Sequence, residues 1–329
     1  MEKEFDFVAI GDVTTDAFIR LHDASVHCDV NKENCQICMD FAAKVPYESV
    51  EVVRGVGNSP NAATAAARLG LHSLLVSNIG DDQNGSECLS TLQKEKVETK
   101  YVTIEKGKET NYHYVLWYED ERTILVKHQA FNYHLPKLPK TKWLYLSSLG
   151  KASLPYHREI IDWLDKNPET KLLYQPGTFQ IELGFEKLPE LFKRAEVFVC
   201  NMEEAKKILQ KDAPIQNLLE NIRALGPKIV LITDGPKGAC MRYDADNYFM
   251  PIYPDPKPPY ERTGCGDSFA STFASALIFG KTPLDALLWA PINPMSVVQY
   301  VGAQKGLLTK EQLEKLLTEK PPHYKTQKI

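Results

Sequence analysis

The first apolar run, Phe5-Asp6-Phe7-Val8-Ala9-Ile10, is rich in aromatic and branched residues and stops at Gly11, the pattern of a buried strand. Ser49 to Arg54 alternates like a strand at an exposed edge. Ala62 to Leu69 is strongly helical by propensity, with Ser59 as its expected N-cap, Pro60 in its first turn and Gly70 as its stop. Ser73 to Ser77 follows as a strand, which makes a βαβ order. Tyr112 to Tyr118 and Arg122 to Lys127 read as two strands joined by a turn at 119–121. From Lys142 onward strands and helices alternate. Strands are expected at 143–146, 172–175, 197–200 and 229–233, and helices at 155–166, 188–194, 203–210, 215–225, 267–279, 284–301 and 310–317. Such repetition predicts a mainly parallel sheet covered on both faces. Residues 13–53 and 101–129 leave this alternation and predict a small β subdomain, while 319–329 is polar, carries Pro321-Pro322 and reads as a mobile tail.

Length and charge narrow the classes. The 329 residues suffice for one large domain and a smaller element. Net charge is −4 with no long basic run, which argues against a nucleic-acid partner. No apolar run reaches the ~20 residues that cross a bilayer, so no membrane partner is expected. The seven cysteines, an odd number without a visible export signal, read as free thiols in a reducing cytoplasm. Cys28, Cys35 and Cys38 cluster, and Cys35-x-x-Cys38 has zinc-ligand spacing, but a matching second pair is absent.

The sharpest chemistry lies in Thr263-Gly264-Cys265-Gly266-Asp267-Ser268. Two glycines before a helix let backbone N–H groups approach an anion, and the helix start adds unpaired donors and a positive dipole end. Asp267 beside such a cradle makes little sense as a phosphate ligand. It makes sense as a general base for a hydroxyl attacking phosphorus. The plainer reading is an ordinary turn followed by a helix-start acid.

Gly264-Cys265-Gly266-Asp267 resembles the C-terminal signature of the PfkB, or ribokinase-like, carbohydrate kinases. Gly57, Asn61, Ala62, Ala66, Leu69 and Gly70 are similar to the family's N-terminal signature. Asn201-Met202-Glu203-Glu204 resembles its N-x-x-E motif, and Thr233-Asp234-Gly235-Pro236-Lys237-Gly238 its nucleotide loop. The resemblance runs to about Leu308. It implies a three-layer αβα sandwich with a β-sheet lid: kinase domain 1–12, 54–100 and 130–318, lid 13–53 and 101–129. It implies an ATP-dependent kinase acting on a hydroxyl of a small sugar or sugar acid. Asp267 is then the base, and Gly264, Cys265 and Gly266 form a backbone anion hole. Asn201 and Glu204 place Mg²⁺, Glu204 through water. Thr233, Gly235, Gly238 and Asn293 meet the nucleotide, and Asp16, Gly57 and Asn61 meet the acceptor. It further implies a monovalent cation site for potassium and a homodimer built through the lid.

Departures bear on these roles. Val56 and Pro60 change the sugar signature, and Cys265 stands for the usual alanine. Glu261 is longer than the family's acid near potassium. Pro291 and Pro294 should kink the late helix beside Asn293. Arg20, Arg54, Arg122 or Lys127 could read a phosphate or carboxylate on the acceptor, and nothing in the sequence selects among them. The aromatic run Tyr112, Tyr114, Trp117 and Tyr118 suits strand packing first, and a nucleoside acceptor second. A catalytically silent ligand-binding protein on the same scaffold is the remaining alternative.

Overall fold

In the computed structural model the described residues are 4–29, 35–119 and 121–329; Met1–Lys3, 30–34 and Asp120 of the expected turn lie outside them. The chain opens with β1 (Phe5–Ile10), β2 (Thr14–Leu21), β3 (Ser25–His27), β4 (Gln36–Cys38), β5 (Tyr47–Val56) and α1 (Asn58–Arg68). It continues through β6 (Ser73–Gly80), α2 (Gln83–Lys94), β7 (Glu98–Glu105), β8 (Asn111–Tyr118), β9 (Glu121–Leu125) and β10 (Thr141–Leu146). Then come α3 (Leu154–Lys166), β11 (Lys171–Tyr174), α4 (Thr178–Leu183), α5 (Pro189–Arg194), β12 (Ala195–Asn201), α6 (Met202–Leu209) and α7 (Ile215–Ala224). The last part holds β13 (Ile229–Thr233), β14 (Ala239–Tyr243), β15 (Asp246–Met250), α8 (Cys265–Ile278), α9 (Pro283–Trp289), α10 (Ile292–Val297), α11 (Lys310–Thr318) and β16 (Gln327–Lys328).

The main sheet has the order β16-β15-β14-β13-β12-β11-β10-β1-β6-β7. From β13 to β7 neighbouring strands are parallel, and β14 to β16 add an antiparallel edge. The central strands are apolar throughout because both faces are covered. Phe7 and Ala9 of β1 face a core shared with α1, α8, α9 and α11, while Val8 and Ile10 face one shared with α3, α5, α6 and α7. This is the expected αβα sandwich. A second, four-stranded sheet, β5-β2-β8-β9, forms the lid.

Several elements depart from the sequence reading. β7 belongs to the edge of the main sheet, so the excursion after it starts near β8. The helix expected over 284–301 is split into α9 and α10, since Pro291 has no N–H to continue the ladder. The N-cap of α1 is Gly57; the Ser59 hydroxyl instead donates to Ile10 O at 2.7 Å. The terminal segment is packed: Tyr324 is fully buried and β16 pairs with β15. Cys28 and Cys35 form a disulfide, which corrects the expectation of free thiols and removes both as thiolate ligands. The β3–β4 hairpin explains it, because pairing His27 with Gln36 puts residues 28 and 35 opposite each other one step further along. Cys38, Cys88, Cys200, Cys240 and Cys265 are free. Among the described residues no helix is long and apolar enough to cross a membrane.

Candidate active site

Helices α1 and α8 pack against each other through small residues: Ala62, Ala63 and Ala66 on one side, Ala270 and Ala274 on the other. Small side chains allow a close approach, and it brings the two helix starts together below the lid. Gly264 caps α8 at φ 81°, and a Cβ there would lie 2.2 Å from the Cβ of Ala303. No other residue fits this turn without displacing the 303 backbone. Gly57 is equally constrained, at φ 119° with a Cβ position 2.6 Å from Asp12 O.

Asp267 stands in the first turn of α8 and is 6 % exposed. Its Oδ1 accepts from Asn58 Nδ2 at 2.7 Å and from Gln175 Nε2 at 3.3 Å; Oδ2 accepts from Asn61 Nδ2 at 2.8 Å. A carboxylate only accepts, so all three amides must present nitrogen to it. Two of these amides are themselves braced. Asn61 Oδ1 accepts from Gln304 Nε2 at 3.1 Å, and Gln175 Oε1 accepts from Tyr145 Oη at 2.8 Å. Burial raises the Asp267 pKa, opposed by the amide hydrogen bonds.

Two adjoining cavities meet at this point. One, of about 450 Å³, is lined by Asn201, Thr233, Gly235, Gly238, Tyr253 and Pro294 among others. The other, of about 460 Å³, is lined by Asp16, Gly57, Asn61, Glu204, Gly264 and Asp267. Thr233, Asn201, Cys265, Gly266, Arg122 and Arg262 border both. The main-sheet strands deliver Gln175, Asn201 and Thr233 from their carboxyl ends, where open parallel sheets bind ligands.

The Asn201–Glu204 pair closes on itself. Asn201 Oδ1 accepts from Glu204 N at 2.8 Å, and Glu204 Oε2 accepts from Asn201 N at 2.9 Å. This capping box fixes the start of α6 and holds Glu204 at the cavity wall. Burial, and secondarily the charge of Asp267, raise the Glu204 pKa. Cys265 is also affected by burial, which pushes its thiol up to about 12. At neutral pH it is a protonated small side chain beside a backbone donor.

Asn293 is the sequence-derived site residue that the structure places elsewhere. It is fully buried, its Nδ2 donates to Thr272 Oγ1 at 2.8 Å and its Oδ1 accepts from Leu308 N at 2.8 Å. The break at Pro291 turns Pro291, Pro294, Met295 and Val298 toward the first cavity instead. Of the lid cations, Arg122 lines both cavities. Arg20 pairs with Glu48, Arg54 with Glu87 and Lys127 with Glu109. The aromatic run does not line the second cavity. Trp117 packs with Phe18, Val115 and Val301, and Tyr114 is exposed. On β8 it is His113 that enters the cavity. Sequence reasoning missed His113, His128 and Gln175, which stand in no contiguous motif, and Asn58, which lies inside the N-terminal signature between Gly57 and Asn61 but is not one of its matched positions.

The pfkB family carbohydrate kinase profile matches residues 26–310, and the chain belongs to that family. Its members are phosphotransferases that act on hydroxyl groups. The chain is 28% identical to the ribokinase of Bacillus subtilis over 82% of this chain and 89% of that protein. It is 24% identical to the ATP-dependent 6-phosphofructokinase of Thermoanaerobacterium thermosaccharolyticum over 92% of this chain and 90% of that one. Its fold is similar to that of Arabidopsis thaliana ribokinase complexed with ribose and ATP, with a TM-score of 0.77, 18% identity, and 96% and 99% of the two chains covered.

Proposed function

We propose that the protein transfers the γ-phosphate of ATP to a hydroxyl of a small sugar or sugar acid, with Asp267 as the general base. The observation that carries this reading is the amide-braced Asp267 carboxylate, set at the α8 N-terminus where the two cavities meet. The nucleotide occupies the cavity bounded by Thr233, Gly235 and Gly238, and the acceptor the one bounded by Asp16, Gly57 and Asn61. Asn58, Asn61 and Gln175 aim the carboxylate at the acceptor hydroxyl, and Asp267 takes its proton as the oxygen attacks. The backbone N–H groups of Gly264, Cys265 and Gly266 hold the transferring phosphoryl group, where one donor is worth ~3 kcal/mol. The lid sheet covers the acceptor and excludes water from the transfer.

Magnesium fits the residues present as a partner of the nucleotide. Among the described residues no cluster of three His, Cys, Asp or Glu could hold a metal alone. Glu204 and Asn201 stand beside the phosphate position, and magnesium keeps several waters and takes few protein ligands. When bound it would neutralise phosphate charge. Potassium does not fit Glu261 in the same way. Glu261 accepts from Thr263 N at 2.8 Å, Thr263 Oγ1 at 2.6 Å and Gly302 N at 3.3 Å, with Arg122 Nε at 3.8 Å.

We assign the protein to the cytoplasm on the same reading, and propose a homodimer through the outer lid strand β5, whose Tyr47 and Val50 are exposed. The central test is ADP release with Mg·ATP across pentoses, hexoses, sugar acids, sugar phosphates and nucleosides, with Asp267→Asn alongside. Acceptor-dependent turnover that falls ~10²–10⁴-fold in the variant is expected. Retention of more than about a tenth of the rate removes Asp267 as the base.

A further inference from the structure

The acceptor cavity is lined by two imidazoles, each beside a buried carboxylate. His113 on β8 lies opposite Asp16 on β2 in the lid register, with His113 Nδ1 3.3 Å from Asp16 Oδ1. His128, beyond β9, places Nδ1 3.2 Å from Asp12 Oδ2. Asp12 also accepts from Tyr133 Oη, at 2.9 Å on Oδ1 and 3.0 Å on Oδ2. A carboxylate only accepts, so the His128 Nδ1 that meets Asp12 carries the proton; at His113 the 3.3 Å approach to Asp16 is an ion-pair distance without a formed hydrogen bond. His113 Nε2 is buried and has no hydrogen-bond partner among the described residues. Asp16, 7 % exposed, likewise has its Oδ1 buried without a formed hydrogen bond. Buried polar atoms left open in this way are stabilised by a ligand that supplies hydrogen-bonding groups.

We propose that this end of the cavity selects a neutral polyhydroxyl acceptor, a sugar or sugar alcohol without a phosphate or carboxylate, and that His113 and His128 are its specificity residues. The inference rests on the kinase reading above. Charge decides against an anionic acceptor. The two carboxylates and two imidazoles sum to minus two with both rings neutral and to zero with both protonated, and are never net positive. The cavity's arginines, Arg122 and Arg262, stand on the nucleotide side, bordering the first cavity as well and facing Glu261 and Glu121. An acceptor carboxylate or phosphate beside Asp16, with Asp12 behind His128, would meet like charge with little solvent between. Hydroxyls suit Asp16 and both rings, since each can donate to a carboxylate or neutral Nε2 and accept from a protonated ring. The rings lie 5.2 Å apart, and His128 meets Phe179 edge-on at 5.3 Å. Phe179 and Ile124 add apolar wall for the C–H faces of a sugar.

The test compares wild type, His113→Asn and His113→Gln on neutral sugars and sugar alcohols, their aldonic acids and their phosphate esters. Asparagine keeps a donor near the Nδ1 position and deletes Nε2; glutamine reaches toward Nε2. The expected wild-type preference is at least about tenfold in kcat/KM for a neutral acceptor over its acid or ester. His113→Asn is expected to raise the acceptor KM about tenfold, with kcat changed less than about threefold and the ATP KM unmoved, and His113→Gln to recover part of the loss. A best substrate that is an acid or a phosphate ester overturns the proposal. So does an unchanged acceptor KM in His113→Asn, or a loss of kcat and ATP affinity together in both variants. Absence of Asp267-dependent turnover on every acceptor overturns the kinase reading itself, and this inference with it.

Discussion

Asp267 carries two opposed influences. Burial disfavours its charge, and three amide donors restore it in part, with the net effect upward. The sign has a direct kinetic meaning. With Asp267 as the proposed base, the carboxyl is protonated below its folded pKa and cannot take the acceptor's proton, so activity is expected to rise as pH rises through it. The acid limb of the acceptor kcat/KM should therefore lie above the ordinary carboxylate range of about 4. Glu204 shifts the same way, so the limb belongs to both groups. Profiles from pH 4.5 to 8 for wild type and Glu204→Gln measure it, and a limb at or below about 4 in both refutes the burial argument. The same shift makes Asp267 a thermodynamic cost. Its folded form holds its proton more tightly than the unfolded chain, so its contribution to stability is favourable in acid and is lost as pH rises through the folded pKa. At this scale the sequence was readable where chemistry is contiguous. Gly264 to Asp267 is one tetrapeptide. The donors that aim the carboxylate are not, since Asn58 stands 209 residues away and Gln175 stands 92 residues away. No spacing rule links such positions, and isolated Asn and Gln are ordinary surface residues.

Elements with a strong period were legible, and those made by pairing were not. The alanine-rich α1 and the buried β1 follow from their own residues. β16 has two residues and no periodicity, and Pro321-Pro322 ahead of it signals coil. What holds that segment is Tyr324, whose ring meets Tyr253 edge-on at 4.8 Å and whose Oη donates to Leu288 O at 2.7 Å. Tyr324→Ala should cost ~3–5 kcal/mol, as for other large aromatic side chains emptied from a core. Tyr324→Phe should cost ~0.5–1.5 kcal/mol for the hydrogen bond alone. Urea denaturation monitored by circular dichroism distinguishes them, and an alanine cost below ~1 kcal/mol would mean the segment is held by something else. The β3–β4 hairpin shows the same limit. Once its register is known, the Cys28–Cys35 bond follows from the pairing, but strands of three residues, none of them buried, leave no pattern from which to infer that register.

For the whole molecule, the alternation of strands and helices made the αβα sandwich legible, because parallel sheets require crossovers of that length. The lid was legible as an interruption, and its boundary was not: β7 continues into the main sheet although its composition suits either. The lid also bears on assembly. β5 has an unpaired outer edge with exposed apolar residues, an arrangement that single chains usually blunt. Light scattering should give a mass near twice 37.2 kDa, and Val50→Asp should return it to one chain. A wild-type monomer at ~50 μM would refute the lid dimer, since stable interfaces of this kind hold at μM concentrations or below.

The packing of α1 against α8 has a further consequence in time. Asp267 gains its orientation from partners contributed by the first quarter and the middle of the chain. No local segment contains the arrangement, and closing such long loops is the slow part of folding. Catalytic power is therefore expected to return last when the denatured protein is renatured, after far-ultraviolet signals have settled, and simultaneous recovery of both would refute this. The active site serves as a clock for the completion of tertiary structure.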